Sequence, residues 1–334
     1  MFKVGVGVIG VGYIGEIHAR VCSELLMSKL IAVADIDERR AQEAAGKYGA
    51  GKWYRDYRDM LRDPEIDAVI IATPDHLHME PVVAACEAGK DILLEKPIAS
   101  NLQDAKTIVE AARKANVKLM VGYTCRFDPN YAWTKKTIDE GQIGKPLMVY
   151  CRRHASITEA RRLAGRVWVA LYLSVHDIDQ ILWYLNDKPR RVYAEAAKGK
   201  VYEELGVPDA VSMLVRFNGG AIGSVETCWS LVENLEWGDQ KLEVIGTEGS
   251  ILTDYLPMTA IGFLKGRWSF PDMIYEPQMH GRLAGALKEE DEHFMECIIK
   301  DKEPIVTGED GVKSLEIALA AIESCKTEKP VYFA

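Results

Sequence analysis

The sequence predicts two domains: a doubly wound α/β domain with a parallel sheet over residues 1–122, then an α+β domain with a large, mainly antiparallel sheet over residues 123–334. Three observations predict this. The first third alternates apolar runs of strand length with amphipathic stretches of helical length, the pattern of consecutive βαβ units. A glycine-rich turn joins the first of those strands to the first helix. Beyond Tyr123 the pattern changes to alternating strands separated by glycine and acidic turns. The length of 334 residues also exceeds what one hydrophobic core usually organises.

In the first domain the spacing predicts strands at Lys3 to Ile9, Leu30 to Asp35, Lys52 to Tyr54, Asp67 to Ala72, Asp91 to Glu95 and Val117 to Gly122. Helices are expected between them at Ile14 to Met27, Glu38 to Tyr48, Asp56 to Arg62, Leu77 to Ala88 and Leu102 to Ala115. Near-continuous apolar strands joined by helices belong to a parallel sheet covered on both faces. The second domain opens with a helix at Asn130 to Glu140. Strands follow at Pro146 to His154, Arg190 to Ala197, Ala210 to Phe217, Ala221 to Trp229, Gln240 to Ile245 and Ser250 to Asp254. Helices are expected at Leu173 to Leu185, Leu283 to Ile299 and Gly308 to Cys325, with a closing strand at Pro330 to Phe333.

The first turn reads Gly10-Val11-Gly12-Tyr13-Ile14-Gly15, a G-x-G-x-x-G between a strand and a helix. Gly10 permits a tight turn, Gly12 lets backbone approach a pyrophosphate, and Gly15 lets helix pack closely on strand, while the helix N-terminus offers unpaired N–H groups to the anion. Asp35 closes the second strand about 20 residues further on, where a carboxylate accepts from a ribose 2′-hydroxyl. NAD is therefore favoured over NADP. Ile36 follows directly, and Arg39 and Arg40 keep a 2′-phosphate possible. Asp37 reads as the N-cap of the next helix.

The fourth strand ends in Thr73-Pro74-Asp75-His76-Leu77-His78, where the strand order of such a sheet reverses and a cofactor should pass. His76 and His78 are two apart, share no helix face and have no carboxylate or cysteine to complete a set, so no metal site is expected. The fifth strand, Ile92 to Leu94, ends abruptly in Glu95-Lys96-Pro97. Pro97 cannot continue a ladder, which places Lys96 at the carboxyl edge of the sheet, where open α/β sheets bind ligands. A solvated charge pair at a strand end describes the same residues without chemistry. His18, on the first helix, reads as a surface or packing residue.

Composition narrows the partners. Hydrophobic content of 48%, charged content of 27% and a formal net charge of -9 argue against nucleic acid or an anionic membrane surface and favour small molecules. The seven cysteines are scattered singly, which suits a reducing cytoplasm and forms no zinc or redox motif. No apolar run reaches the ~18 residues of a membrane span.

Gly10 to Gly15, Thr73 to His78 and Glu95-Lys96-Pro97 together resemble the Gfo/Idh/MocA family of NAD(P)-dependent sugar and polyol oxidoreductases. The likeness continues through Gly122 to Pro129, Gly141 to Gly144, Val175 to Asp179 and Gly246 to Ser250, so it covers nearly the whole chain. It implies an N-terminal Rossmann domain and a second-domain sheet whose outer face serves a homodimer or homotetramer. Cofactor contacts are implied for Gly10, Gly12, Tyr13, Ile14, Asp35, Ile36, Thr73, Pro74, His78, Glu95 and Lys96. In the family the lysine lies near the nicotinamide and the substrate hydroxyl, the glutamate borders the nicotinamide ribose, and the histidine matching His78 stands beside the nicotinamide. The family's general acid/base falls on His176, with Asp179 three residues later to bind a substrate hydroxyl or orient the imidazole. Imidazole suits the task, because it titrates near neutrality and can take the hydroxyl proton as hydride leaves carbon.

One position departs from the pattern. Many inositol dehydrogenases of the family carry an aspartate four residues before that histidine, and here the position is Tyr172. A phenol supplies no negative charge at neutral pH but can hydrogen-bond a sugar or relay a proton, which sets an inositol dehydrogenase assignment in question. Arg152, Arg153, Arg161, Arg162 and Arg166 are opposed within their interval only by Glu159. Arg153 and Arg161, with Tyr123 and Arg126, are candidate substrate-binding residues, and the arginines suggest an anionic sugar derivative. An oligomer contact or a solvated loop accounts for the same arginines. The expected activity is hydride transfer between nicotinamide and a sugar or polyol held between the domains. Lys96 would stabilise the developing alkoxide or relay its proton, and His176 would act as base in oxidation. The alternatives are an NAD-dependent glycoside hydrolase using transient oxidation, and a non-catalytic cofactor-binding regulator.

Overall fold

The computed structural model describes residues 3–231, 239–255, 262–264, 267–269 and 271–333. Its first sheet contains β1 (Val4–Ile9), β2 (Ser28–Ala34), β3 (Lys52–Tyr54), β4 (Ala68–Ile71), β5 (Asp91–Glu95) and β6 (Leu119–Gly122). All neighbours are parallel, in the order β3-β2-β1-β4-β5-β6. Every residue of β1 and β4 is buried, which is why these strands lack alternation. The helices are α1 (Tyr13–Glu24), α2 (Glu38–Tyr48), α3 (Tyr57–Leu61), α4 (Met79–Glu87) and α5 (Leu102–Ala115). Asp37 caps α2 by accepting from the N–H groups of Arg39 and Arg40, as the sequence reading has it. A 3-10 turn at Asp75–Leu77 replaces the expected first turn of α4. Because β1 lies between β2 and β4, the strand order reverses there, beside the glycine turn and the Thr73 turn.

After α6 (Pro129–Asp139), the second sheet comprises β7 (Pro146–Ser156), β8 (Pro189–Ala197), β9 (Ala210–Phe217), β10 (Ile222–Leu231), β11 (Asp239–Gly246) and β12 (Ser250–Asp254). Two short hairpins, β13 (Gly262–Leu264) with β14 (Arg267–Ser269) and β15 (Gln278–Met279) with β16 (Arg282–Leu283), precede the closing strand β17 (Val331–Tyr332). The sheet order is β12-β11-β7-β10-β9-β8-β17, and only β7 with β10 is parallel. Its strands alternate, with Val149, Cys151 and Arg153 of β7 turned inward and Met148, Leu214, Ile245 and Leu252 exposed on the other face. The remaining helices are α7 (Ile157–Leu163), α8 (Val175–Leu185), α9 (Lys200–Leu205), α10 (Ala286–Ile299) and α11 (Gly308–Thr327). The short helices α7 and α9 are absent from the sequence reading. A π turn at Ala170–Ser174 takes the place of the expected start of α8.

The contacts do not follow the single cut at 122/123. One compact unit is Met1–Phe127 with Tyr275–Val312, and the other is Asp128–Ile274 with Lys313–Ala334. Helix α10 explains the return. Its stripe of Leu287, Glu290, Asp291 and Phe294 is buried, and the two acids meet groups from α1 and from the turn after β6.

Candidate active site

The glycine turn has the geometry a dinucleotide needs. Gly10 adopts φ +84, and a Cβ at Gly15 would lie 1.8 Å from the Gly10 carbonyl oxygen, so both positions require glycine. Nothing stands within 4 Å of where a Gly12 Cβ would be. Gly12 is also the N-cap of α1 and offers no side-chain cap, leaving first-turn N–H groups available to an anion. Asp35 is fixed beside the turn: its Oδ2 accepts from the Val11 N–H at 3.0 Å and its Oδ1 from the Asp37 N–H at 2.9 Å. Arg40 approaches the same carboxylate at 3.9 Å. Ile36 is 88% exposed, Ile14 is half-buried, and the exposed Tyr13 donates its hydroxyl hydrogen bond to Glu276 at 2.7 Å.

At the next strand ends, His78 ties two turns together. It is buried, with Nδ1 3.0 Å from the Pro97 carbonyl oxygen and Nε2 2.8 Å from that of Thr73. It therefore joins the Thr73-Pro74 turn to the turn after β5. Burial lowers its pKa, against the carbonyls and nearby acids that favour a second proton. The Thr73 hydroxyl is a buried oxygen with no hydrogen-bond partner among the described residues, a polar group suited to a ligand at this edge. These residues fit a bound NAD. Lys96 is half-buried at the end of β5, and its backbone N–H donates to Oε2 of Glu95 at 3.0 Å.

Behind that turn lies a charged cluster that the sequence reading does not contain. His18 is fully buried, not a surface residue, with Nδ1 2.9 Å from Asp291 and Nε2 3.2 Å from Glu95. Burial alone would lower its pKa, but the two carboxylates raise it well above the ordinary value. Burial pushes Glu95 up, while the hydrogen bond and charge of His18, with Lys96, hold it below the usual range. Glu290 accepts from the Thr124 hydroxyl at 3.1 Å and keeps its other oxygen buried without a partner among the described residues. Burial, then the charge of Glu95, pushes the pKa of Glu290 well above the usual carboxylate range. Spacing carries a signal for this cluster. His18 lies in helical register with buried Gly15 and Cys22, and Glu290 and Asp291 with Leu287 and Phe294.

In the second unit, His176 is the one residue from Leu173 to Ile181 that is not fully buried. The π turn holding Tyr172 breaks the four-residue helical register with His176. The Tyr172 hydroxyl accepts from Arg162 at 2.5 Å and lies 3.4 Å from the carboxylate of Glu159. Asp177, next to His176, receives a two-pronged hydrogen bond from buried Arg153, both arms 3.0 Å, and Arg153 also donates to Gln240 at 2.8 Å. Asp179 is fully buried. Arg161 pairs with Glu204 at 2.8 Å. In the first unit Tyr123 is fully buried, and buried Arg126 donates to the Ile305 carbonyl at 2.7 Å and pairs with Asp310 at 3.3 Å. The sequence-derived substrate set is thus largely engaged by the protein's own groups. Among the described residues, no cluster of three or more His, Cys, Asp or Glu stands where it could hold a metal ion.

Comparison with known proteins places both domains in one family. Residues 4–123 match the Gfo/Idh/MocA oxidoreductase family model for the NAD-binding Rossmann fold, and residues 135–333 match its C-terminal alpha/beta domain. The scyllo-inositol 2-dehydrogenase (NAD(+)) of Bacillus subtilis is 34% identical, over 98% of this chain and 96% of its own. The myo-inositol 2-dehydrogenase of Thermotoga maritima is 31% identical, over 98% and 97%. The structure of the Lactobacillus casei scyllo-inositol dehydrogenase with bound NAD(H) and scyllo-inositol shares the fold, with a TM-score of 0.86 at 21% identity over 99% of each chain. With both family domains matched along nearly its whole length, the chain belongs to the Gfo/Idh/MocA family of oxidoreductases.

Proposed function

We propose that this protein is an NAD-dependent dehydrogenase that transfers hydride between nicotinamide and a CH–OH carbon of a cyclic polyol or sugar. One observation carries the cofactor half: the open backbone over Gly12 lies at the switch point of the sheet, with Asp35 fixed beside it by two backbone N–H groups. The full-length relatives named as inositol dehydrogenases support the substrate class. NAD, when bound, supplies the hydride acceptor. Lys96 holds an ammonium at the carboxyl end of β5 and stabilises the oxygen that becomes an alkoxide. His176, half-exposed in the first turn of α8, takes the hydroxyl proton in oxidation and returns it in reduction. Asp35 sets a preference for NAD, and Arg40 nearby leaves NADP as a weaker cofactor.

The engaged arginines favour a neutral substrate over an anionic one. Arg153 and Arg161 already have carboxylate partners. The exposed apolar residues Met148, Leu214, Ile245 and Leu252 on one face of the second sheet support assembly of a homodimer or homotetramer through that face. Seven cysteines scattered singly along the chain support a cytoplasmic location, and no described helix is long and apolar enough to cross a membrane.

The test is a panel of cyclic polyols, sugars and sugar acids, scored by reduced-nicotinamide absorbance with NAD and NADP. Turnover of a neutral polyol with NAD is expected, falling roughly 10²–10⁴-fold in Lys96→Met and in His176→Gln. Near-parent turnover in both variants would sink the residue assignments.

A further inference from the structure

We propose that His18 is a positioning residue: clamped by Asp291, its imidazole holds the Glu95 carboxylate where that carboxylate accepts from the backbone N–H of Lys96, and so fixes the turn that presents the lysine. The chain of contacts is continuous within one compact unit. Asp291 on α10 takes Nδ1 of His18 with both oxygens, at 2.9 and 3.0 Å. Nε2 reaches Oε1 of Glu95 at 3.2 Å, and Oε2 of Glu95 receives the Lys96 N–H at 3.0 Å. Both oxygens of Glu95 are thus assigned, one to the helix layer and one to the functional turn. Gly122 is paired with Glu95 across the sheet, and a Cβ there would stand 3.4 Å from Oε1, so the glycine leaves room for the carboxylate.

Hydrogen-bond arithmetic defines the charge state. Two carboxylates face the two ring nitrogens, and a neutral imidazole has only one N–H to give. An imidazolium serves both. The titratable and charged groups around it are Asp291 and Glu290 from α10, Glu95 and Lys96 from the end of β5, and Cys22 on its own helix. One cation from α1 thus faces two buried carboxylates, and Glu290 stands near them with its pKa raised by burial and by the charge of Glu95. Removing that cation leaves Glu95 in a dry, acidic surrounding, where it takes up a proton and no longer accepts equally from both sides. A packing histidine would need none of these contacts.

The importance of the turn rests on the role proposed for Lys96, but the test does not require turnover. Amide hydrogen exchange at residue resolution in His18→Gln should show the Lys96 N–H exchanging about tenfold faster or more, while Ile92 to Leu94 within β5 stay within about twofold of parent. In the same variant the acid limb of the kcat/KM profile should move up by about one pH unit or more, because Glu95 has lost its cation. If His18→Gln does not fold, Asp291→Asn keeps the imidazole and loosens its anchor, and the same two shifts are expected at smaller size. Uniformly faster exchange along β5 with an unmoved acid limb, or an unchanged Lys96 amide, would overturn the proposal. A protein inactive on the whole polyol panel would fail the functional reading instead, and the exchange result would still decide the role of His18.

Discussion

Two buried ion clusters, one in each compact unit, differ in the kind of cation they hold. In the second unit Arg153 meets Asp177 through two parallel hydrogen bonds and uses a further arm on Gln240, so a guanidinium stands directly against the Asp177 carboxylate. That pair acts as a brace from β7 to the first turn of α8, which carries His176. In the first unit one imidazolium serves two carboxylates beside Glu290, whose pKa is raised, and the cluster ends on the backbone of Lys96. A guanidinium does not titrate in the physiological range, whereas imidazole and carboxylic acids can. The difference separates a brace from a pH-sensitive support.

The largest expected effect breaks the brace. Arg153→Ala should lower unfolding free energy by roughly 3–5 kcal/mol, since it leaves the Asp177 carboxylate buried and unpaired. Denaturant unfolding measures this. Unchanged stability together with a weakened response to sugar acids would make Arg153 a substrate ligand instead.

A smaller effect sharpens the other side. The folded state raises the His18 pKa well above 6.5, so its stabilisation is complete below that value and is lost as pH rises through the folded pKa. Thermal unfolding from about pH 6 to about pH 9 should therefore fall more steeply in the parent than in His18→Gln. The smallest effect is expected at Glu290. Replacing a neutral buried acid by an amide in Glu290→Gln should change stability at about pH 6 by no more than ~1 kcal/mol. The variant should gain on the parent as pH rises, because the raised pKa of Glu290 means the parent must ionise a buried acid. A loss at pH 6 as large as that of Arg153→Ala would mean that Glu290 is charged.

The half of the site written in local backbone geometry was legible in the sequence. Gly10, Gly12 and Gly15 are read from what a short turn permits, Asp35 from its place at a strand end, and Lys96 from the apolar run that Pro97 terminates. The supporting half depends on contacts across 273 positions, from His18 to Asp291. The register of Glu290 and Asp291 with Leu287 and Phe294 marks a buried stripe, but it does not name the distant partners on α1 and after β6. The sequence does not show that the His78 ring joins the Thr73 and Pro97 carbonyls, because those partners meet it only in the folded turns. The four-residue spacing of Tyr172 and His176 does not reveal the π turn between them or the partners Arg162 and Glu159 of the tyrosine hydroxyl. The arginine cluster looked uncompensated because Asp177, Glu204 and Asp239 lie outside its interval of sequence.

The central claim is hydride transfer from a carbinol carbon to NAD. Its most direct measurement is mass analysis of the reduced nicotinamide formed from a cyclic polyol deuterated at its carbinol carbons. The account predicts one deuterium in each reduced nicotinamide formed by the parent, with formation slowed in Lys96→Met. No reduced nicotinamide from any carbinol-deuterated member of the panel, or reduced nicotinamide carrying solvent hydrogen in place of deuterium, would contradict it.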